Sequence, residues 1–294
     1  MKLTKKIALR YYKLKFRLLG LLAPKKAARS AFKLFCTPFS GKPERAMPLI
    51  FEKAARISIE IEGNLTLRGW RWEPENEVSI NKKILILHGF DSYSYRFEKY
   101  IRPLRKEGFE VMAFDAPGHG ISDGKTINSL QYKNAILRIE KSFGTFYGIM
   151  AHSVGGLAAS LASEHLPNLK KLVLIAPAVE ITRPIDSFSK MVSLPEKVKE
   201  RMYKLIIKIG KLPVSYFDTR RAIEQVTVPT LWLHDEEDAI CPYKDVLPVK
   251  ELGLPHVTFH ITKGLGHSNI YRDPETVKTI VSFFTSLNPA QKSV

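Results

Sequence analysis

Tyr147-Gly148-Ile149-Met150-Ala151-His152-Ser153-Val154-Gly155-Gly156 is the stretch on which the fold turns. An apolar run enters a serine that has small residues two positions before and two after it. A serine on a sharp strand-to-helix turn needs that pattern, because its backbone is strained and only small neighbours let strand and helix approach. Ala151 stands where the pattern usually has glycine, and a methyl group is the smallest side chain that can replace it. A helix starting at Val154 would aim its first N–H groups at a developing oxyanion. Taken alone, the same residues also suit a serine that merely caps a helix.

Partners decide between the two. A serine hydroxyl attacks only when a neutral imidazole removes its proton, and that imidazole needs a carboxylate to fix its tautomer. Downstream, Thr230 to His234 reads as a strand running into Asp235, Glu236, Glu237 and Asp238, with Cys241-Pro242 closing the loop. Near the C-terminus, Gly264-Leu265-Gly266-His267-Ser268 sets a histidine in a glycine-flanked loop. The other seven histidines fit less well. His88 and His119 lie in turns, His152 adjoins the serine with its side chain directed elsewhere, His234 is on a strand, and His165, His256 and His260 have no motif around them.

The body around these residues reads as one α/β domain. Arg56–Ile61 and Leu65–Trp72 alternate like two antiparallel strands joined at Glu62-Gly63-Asn64. Short apolar runs follow at 84–88, 110–114, 146–151, 172–176, 230–233 and 257–261, as strands buried on both faces of a parallel sheet require. Helix-compatible stretches separate most of them. The longest interruption, residues 179–228, contains a helix with Val198, Met202, Leu205, Ile206 and Ile209 on one face.

With these motifs in place, the chain resembles the α/β-hydrolase superfamily over about residues 55–288, and bacterial serine hydrolases within it. Leu87-His88-Gly89-Phe90 matches the superfamily's oxyanion loop, and Phe114-Asp115-Ala116-Pro117-Gly118-His119-Gly120 its turn after the fourth strand. The order serine, acid, histidine is also that of the superfamily. The resemblance implies a mostly parallel eight-stranded sheet flanked by helices, over residues 55–294, with a small helical cap at 179–228. A basic helical extension, residues 1–54, would precede it. It further implies Ser153 as nucleophile and His267 as base. It selects Asp238 among the four acids, because the superfamily's acid stands four residues before the proline. The oxyanion donors would be the backbone N–H groups of Phe90 and Val154. Met150, Phe90, Tyr93 and Tyr95 suit an acyl pocket and the core equally well.

The expected substrate is a small acyl or ester compound, cleaved through an acyl-enzyme with neither cofactor nor metal. Thioester, carbon–carbon and perhydrolysis chemistries belong to the same fold, and a non-catalytic scaffold is the reading from another class. Only two cysteines occur, Cys36 and Cys241, without metal-ligand spacing, which fits a reducing compartment.

Charge adds a separate feature. The chain of 294 residues carries a net +17, from 46 Lys and Arg against 29 Asp and Glu. Residues 1–45 hold thirteen of the basic residues and one acid, Glu44, which leaves only +5 for the rest. Leu3, Ile7, Tyr11, Leu14, Leu18 and Leu21 share one helical face, with Lys2, Lys6, Arg10, Lys13 and Arg17 on an adjoining one. Pro24 ends that run, and a second helical stretch at 27–35 precedes the breakers Pro38, Gly41 and Pro43. Residues 1–23 therefore suit either peripheral contact with anionic lipid or docking on the body, and the balance leans to lipid. The expected location is cytoplasmic, at the inner face of the membrane where lipid contact holds. Basic residues interrupt any signal-peptide core, no run is long enough to span a bilayer, and no nucleic-acid motif accompanies the charge.

Overall fold

The computed structural model of the chain describes residues 3–39, 46–75 and 80–286. Lys2, Gly41 and Pro43 lie outside the described residues. Among those described, eight strands form one sheet: β1 (Ala55–Ile61), β2 (Leu65–Trp72), β3 (Lys83–Leu87), β4 (Glu110–Phe114), β5 (Gly148–His152), β6 (Lys171–Ile175), β7 (Thr230–Asp235) and β8 (Val257–Thr262). Their order is β1-β2-β4-β3-β5-β6-β7-β8. Only β2 runs antiparallel to its neighbours, β1 and β4, and every other pairing is parallel.

The apolar runs of β3 to β7 are buried on both faces, whereas the edge strand β8, expected to be so too, holds no buried residue. In β3, Leu85 and Leu87 join one core, whereas Ile84 and Ile86 join the other. β5 divides in the same way, with Ile149 and Ala151 opposite Met150. The helices Ser129–Phe143 and Val154–Ser163 contribute to the first core. Glu98–Lys106 and Pro274–Thr285 contribute to the second. An amphipathic helix on each face is what a sheet with no polar side demands. Met150, Tyr93 and Tyr95 belong to this second core.

The chain divides into two compact units. The sheet and its helices form the larger, Pro38–Val179 with Thr219–Val294. The smaller joins Met1–Thr37 to Glu180–Asp218 and is wholly helical apart from a bridge between Glu180 and Asp218. In it the helices Leu3–Leu22 and Pro24–Phe35 pack with Thr182–Met191 and Glu196–Gly210. Pro24 opens the second helix instead of only ending the first. Its fixed φ and missing N–H cost nothing at a first helical position. In Glu196–Gly210 the residues Val198, Met202 and Ile206 are buried, but Ile209, expected on the same face, is exposed as the helix runs out.

Two loops at the C-terminal ends of β3 and β4 are locked together by neutral imidazoles. His88 Nε2 accepts the Ala116 N–H at 2.9 Å, and Nδ1–H donates to the Gly89 carbonyl at 2.7 Å. Tyr132 donates its hydroxyl to the His88 carbonyl at 3.0 Å. His119 Nε2 accepts the Asp91 N–H at 3.2 Å, and Nδ1–H donates to Pro117 at 3.0 Å. Buried Asp115 accepts from Ser94 N–H and hydroxyl, both at 2.8 Å, and from Ile121 N–H at 3.0 Å. A ring that both donates and accepts must be neutral. Burial, aided by Arg96, pushes the His88 imidazole down to about 4. Burial and the neighbouring His88 do the same to His119, also to about 4.

This sets the sign of an acid instability. The unfolded chain takes up protons near the ordinary histidine value, but the folded rings resist them until about pH 4. Stability is therefore lost as pH falls from about 6.5 towards 4, by about 2 kcal/mol per ring between pH 7 and pH 5. Asp115, which burial raises, offsets part of that loss. Urea unfolding should show a lower midpoint at pH 5 than at pH 7, with the His88 and His119 ring resonances still neutral at pH 5.

Candidate active site

Ser153 stands between β5 and the helix Val154–Ser163 with φ 56° and ψ −123°. That is a sparsely populated conformation for any L-residue, and it persists only where surroundings over-determine it. Here they do. The Ser153 N–H donates to Ile175 O at 3.0 Å, and its carbonyl accepts from Gly156, Ala178 and Leu157 at 2.9, 3.1 and 3.2 Å. Close approach explains the glycines. A Cβ on Gly155 would lie 2.5 Å from the His88 carbonyl oxygen, and one on Gly89 would lie 2.8 Å from Ser153 Cβ. The elbow and the β3 loop are thus pressed together without intervening side chains.

The other two expected residues come to the same place. His267 is the second residue of a short helical turn, Gly266–Asn269, and Gly264 and Gly266 before it are both at positive φ. Its Nε2 is 3.0 Å from Ser153 Oγ, and its Nδ1 is 2.7 Å from Asp238 Oδ2. Asp238 Oδ1 accepts the N–H groups of Ile240 and Cys241, each at 2.8 Å. Burial alone would raise the Asp238 carboxyl. The bond and charge of His267 and those two N–H groups outweigh it and hold the group below its usual range.

Of the remaining acids, Glu236 and Glu237 are exposed. Asp235 is fully buried and does something the sequence did not disclose. Its Oδ2 accepts from Thr262 Oγ1 at 2.7 Å and Leu265 N–H at 3.0 Å, while Oδ1 accepts from Glu237 N–H at 3.0 Å. One carboxylate therefore ties the loop carrying His267 to the loop carrying Asp238.

One further residue escaped sequence reasoning. His152 does not turn away from the site altogether. Its Nε2 donates to the His267 carbonyl at 3.0 Å, and the two rings lie 4.6 Å apart. Burial, reinforced by His267, holds His152 well below the usual histidine range, so it stays neutral. Burial pushes the Cys241 thiol up to about 12, which keeps it an unreactive SH. The His152 link had no sequence signal, because it joins segments far apart in the chain.

Phe90 follows Gly89, whose backbone lies against Ser153, and Val154 follows the serine directly. The Gly89 carbonyl is bound by His88, so the planar peptide turns the Phe90 N–H to the opposite side. Val154 is the first residue of its helix, where no intrahelical acceptor exists. Among the described residues neither N–H is taken up by a backbone acceptor outside the helices and strands. Phe90 itself is only partly buried and packs against the first core. The rival histidines are occupied elsewhere. His234 donates to Cys241 O at 2.7 Å, His256 to Ile223 O at 3.1 Å, and His165 meets Lys133 at 2.7 Å. Among the described residues, no group of three or more His, Cys, Asp or Glu is arranged to hold a metal ion.

Comparison with known proteins agrees with this architecture. Residues 79–214 match the family model of serine aminopeptidase, S33. The chain is 24% identical over 219 residues to a putative esterase/lipase 2 of Mycoplasma genitalium, covering 63% of this chain and 81% of that protein. It is 23% identical over 133 residues to phospholipase YtpA of Bacillus subtilis, covering 41% of this chain and only half of that protein's length. Among solved structures, an esterase of Pyrococcus furiosus superposes with a TM-score of 0.59 at 21% identity, over 83% of this chain and 96% of its own. An eight-stranded, mostly parallel sheet with a strained serine elbow after its fifth strand, together with these likenesses, leads to one conclusion: the chain has the α/β-hydrolase fold.

Proposed function

We propose that the chain is a serine hydrolase that cleaves a carboxylic ester or a related acyl compound. The observation that carries this reading is the unbroken line from Ser153 Oγ to His267 at 3.0 Å and on to Asp238 at 2.7 Å. The esterase and lipase names of its relatives support the same chemistry.

In this mechanism Ser153 Oγ attacks the acyl carbonyl carbon and passes its proton to His267 Nε2. Asp238 accepts a hydrogen bond from Nδ1–H, which leaves Nε2 as the basic nitrogen and stabilises the imidazolium as it forms. The carbonyl oxygen gains the displaced electron pair and rests against the N–H groups of Phe90 and Val154. Donors already aimed at that position need no reorganisation when charge develops. Collapse of the tetrahedral intermediate expels an alkoxide, which takes the proton from His267 and departs as the alcohol. Water then repeats the sequence on the acyl-enzyme, with His267 again as base, and releases the carboxylic acid. The low carboxyl of Asp238 suits its part, since it stays ionised while the neighbouring ring exchanges protons.

Hydrolysis of short p-nitrophenyl esters tests the assignment. Ser153→Ala should lower kcat/KM by about 10³-fold or more, with the fold intact by circular dichroism. Wild-type turnover retained in that variant would overturn it. Asp238→Asn keeps the shape of the acid but favours the wrong tautomer of His267. It should cost about 10²- to 10⁴-fold, mostly in kcat. An Asp238→Asn variant with unaltered kcat would remove Asp238 from the mechanism.

A further inference from the structure

The helix Leu3–Leu22 has two apolar faces, and among the described residues only one is covered. Tyr12 and Leu9 are partly buried, Phe16 is completely buried, and Gly20 lies so close to its neighbours that a Cβ would come within 3.1 Å of Pro195 and Val198. That face fastens the helix to Pro24–Phe35 and Glu196–Gly210, within the same helical unit. Ile7, Tyr11, Leu14, Leu18, Leu21 and Leu22 project from the other side and are all more than half exposed. Leu21 and Leu22 reach 78% and 85%. The exposed stripe coincides with the apolar face that the sequence spacing marks out, whereas Phe16 and Tyr12 hold the helix from behind.

A stripe of six large apolar residues on an already anchored helix is not a folding remnant, and its surroundings say what it suits. Lys6, Arg10, Lys13 and Arg17 recur at steps of three and four along one border of the stripe, all exposed. Lys15 lies on the opposite border, with its ammonium 5.8 Å from the ring centres of Tyr11 and Tyr12. Lys25, Lys26, Arg29 and Lys33 add exposed positive charge on the next helix. No acidic residue occurs before Glu44. A protein partner with an ordinary mixed surface would call for charges of both signs. An unbroken cationic border beside a flat apolar stripe complements an anionic lipid surface, where acyl chains receive the apolar side chains and headgroups meet the lysines and arginines. Among the described residues no helix is long and apolar enough to cross a membrane, so such a helix would lie in the interface plane.

The geometry points to the Ile7–Leu22 face of this helix as a docking surface for anionic bilayers. This assignment stands apart from the catalytic reading and holds whatever bond Ser153 attacks. It is tested with the full-length chain and vesicles of phosphatidylglycerol mixed with phosphatidylcholine, against vesicles of phosphatidylcholine alone. Cosedimentation should favour the anionic vesicles by about tenfold or more and should weaken as NaCl is raised. The double variant Leu14→Glu/Leu18→Glu should lower binding by about tenfold or more, because it sets charge on the inserting face. Lys13→Glu/Arg17→Glu should do so chiefly at low salt. All four positions are surface residues, so circular dichroism and the urea midpoint should match wild type. Failure of the wild type to bind anionic vesicles would overturn the proposal. So would binding that survives Leu14→Glu/Leu18→Glu. A concentration-dependent dimer in analytical ultracentrifugation, abolished by the same substitutions, would assign the face to a second copy of the chain instead.

Discussion

The backbone of Ser153, held at φ 56° and ψ −123°, is the constraint to which the rest of the larger unit conforms. Such a conformation costs about 1–3 kcal/mol and must be offset by what surrounds it. The offset comes from four backbone hydrogen bonds at the serine, from β6 on one side and the following helix on the other. It also requires bare backbone at Gly155 and Gly89, where a methyl group would strike His88 and the serine itself. The His88 carbonyl is fixed by Tyr132 and its ring by Ala116, so strain at one residue is distributed over β3, β4 and β5 together. The elbow lifts the hydroxyl beyond the sheet's C-terminal edge, where the loops after β7 and β8 can meet it.

Those loops are set by a second, independent device. Asp235, at the end of β7, accepts hydrogen bonds from both loops and lies wholly out of water. Asp238 then needs to span only 2.7 Å to reach His267, while Ile240 and Cys241 hold its other oxygen. His152 fastens the His267 backbone from the β5 side. Every polar neighbour of the imidazole is itself tethered. The base proposed for Ser153 needs a fixed orientation while its proton moves, and these tethers suit that role.

The sequence exposed the parts of this design that depend on local pattern. Apolar runs located the strands to within about two residues, and for β3 to β7 burial on both faces leaves few polar positions to blur them. Ser153 and His267 stood out because each sits among small residues at a turn, whereas only the family resemblance separated Asp238 from its acidic neighbours. Asp235 was hidden by its acidic neighbours, since nothing local separates a buried anchor from a solvated charge. His152 was hidden because its contact closes only in the folded chain. The helical stripe of residues 7–22 was visible, but not which of the helix's two apolar faces would be covered. Gly20 settled that through its close approach to Pro195 and Val198, and Phe16 through its complete burial.

Charge and chemistry occupy different parts of the molecule. The cationic helices belong to the smaller unit, and all three residues of the proposed catalytic line belong to the larger. The central claim concerns the larger unit, that the strained hydroxyl of Ser153 is an activated nucleophile. Mass spectrometry of the protein treated with a fluorophosphonate tests it most directly. The account predicts a single phosphonyl adduct on the peptide containing Ser153, lost when His267 is replaced by alanine. An adduct on a different residue, or none under conditions that label a known serine hydrolase, would contradict it.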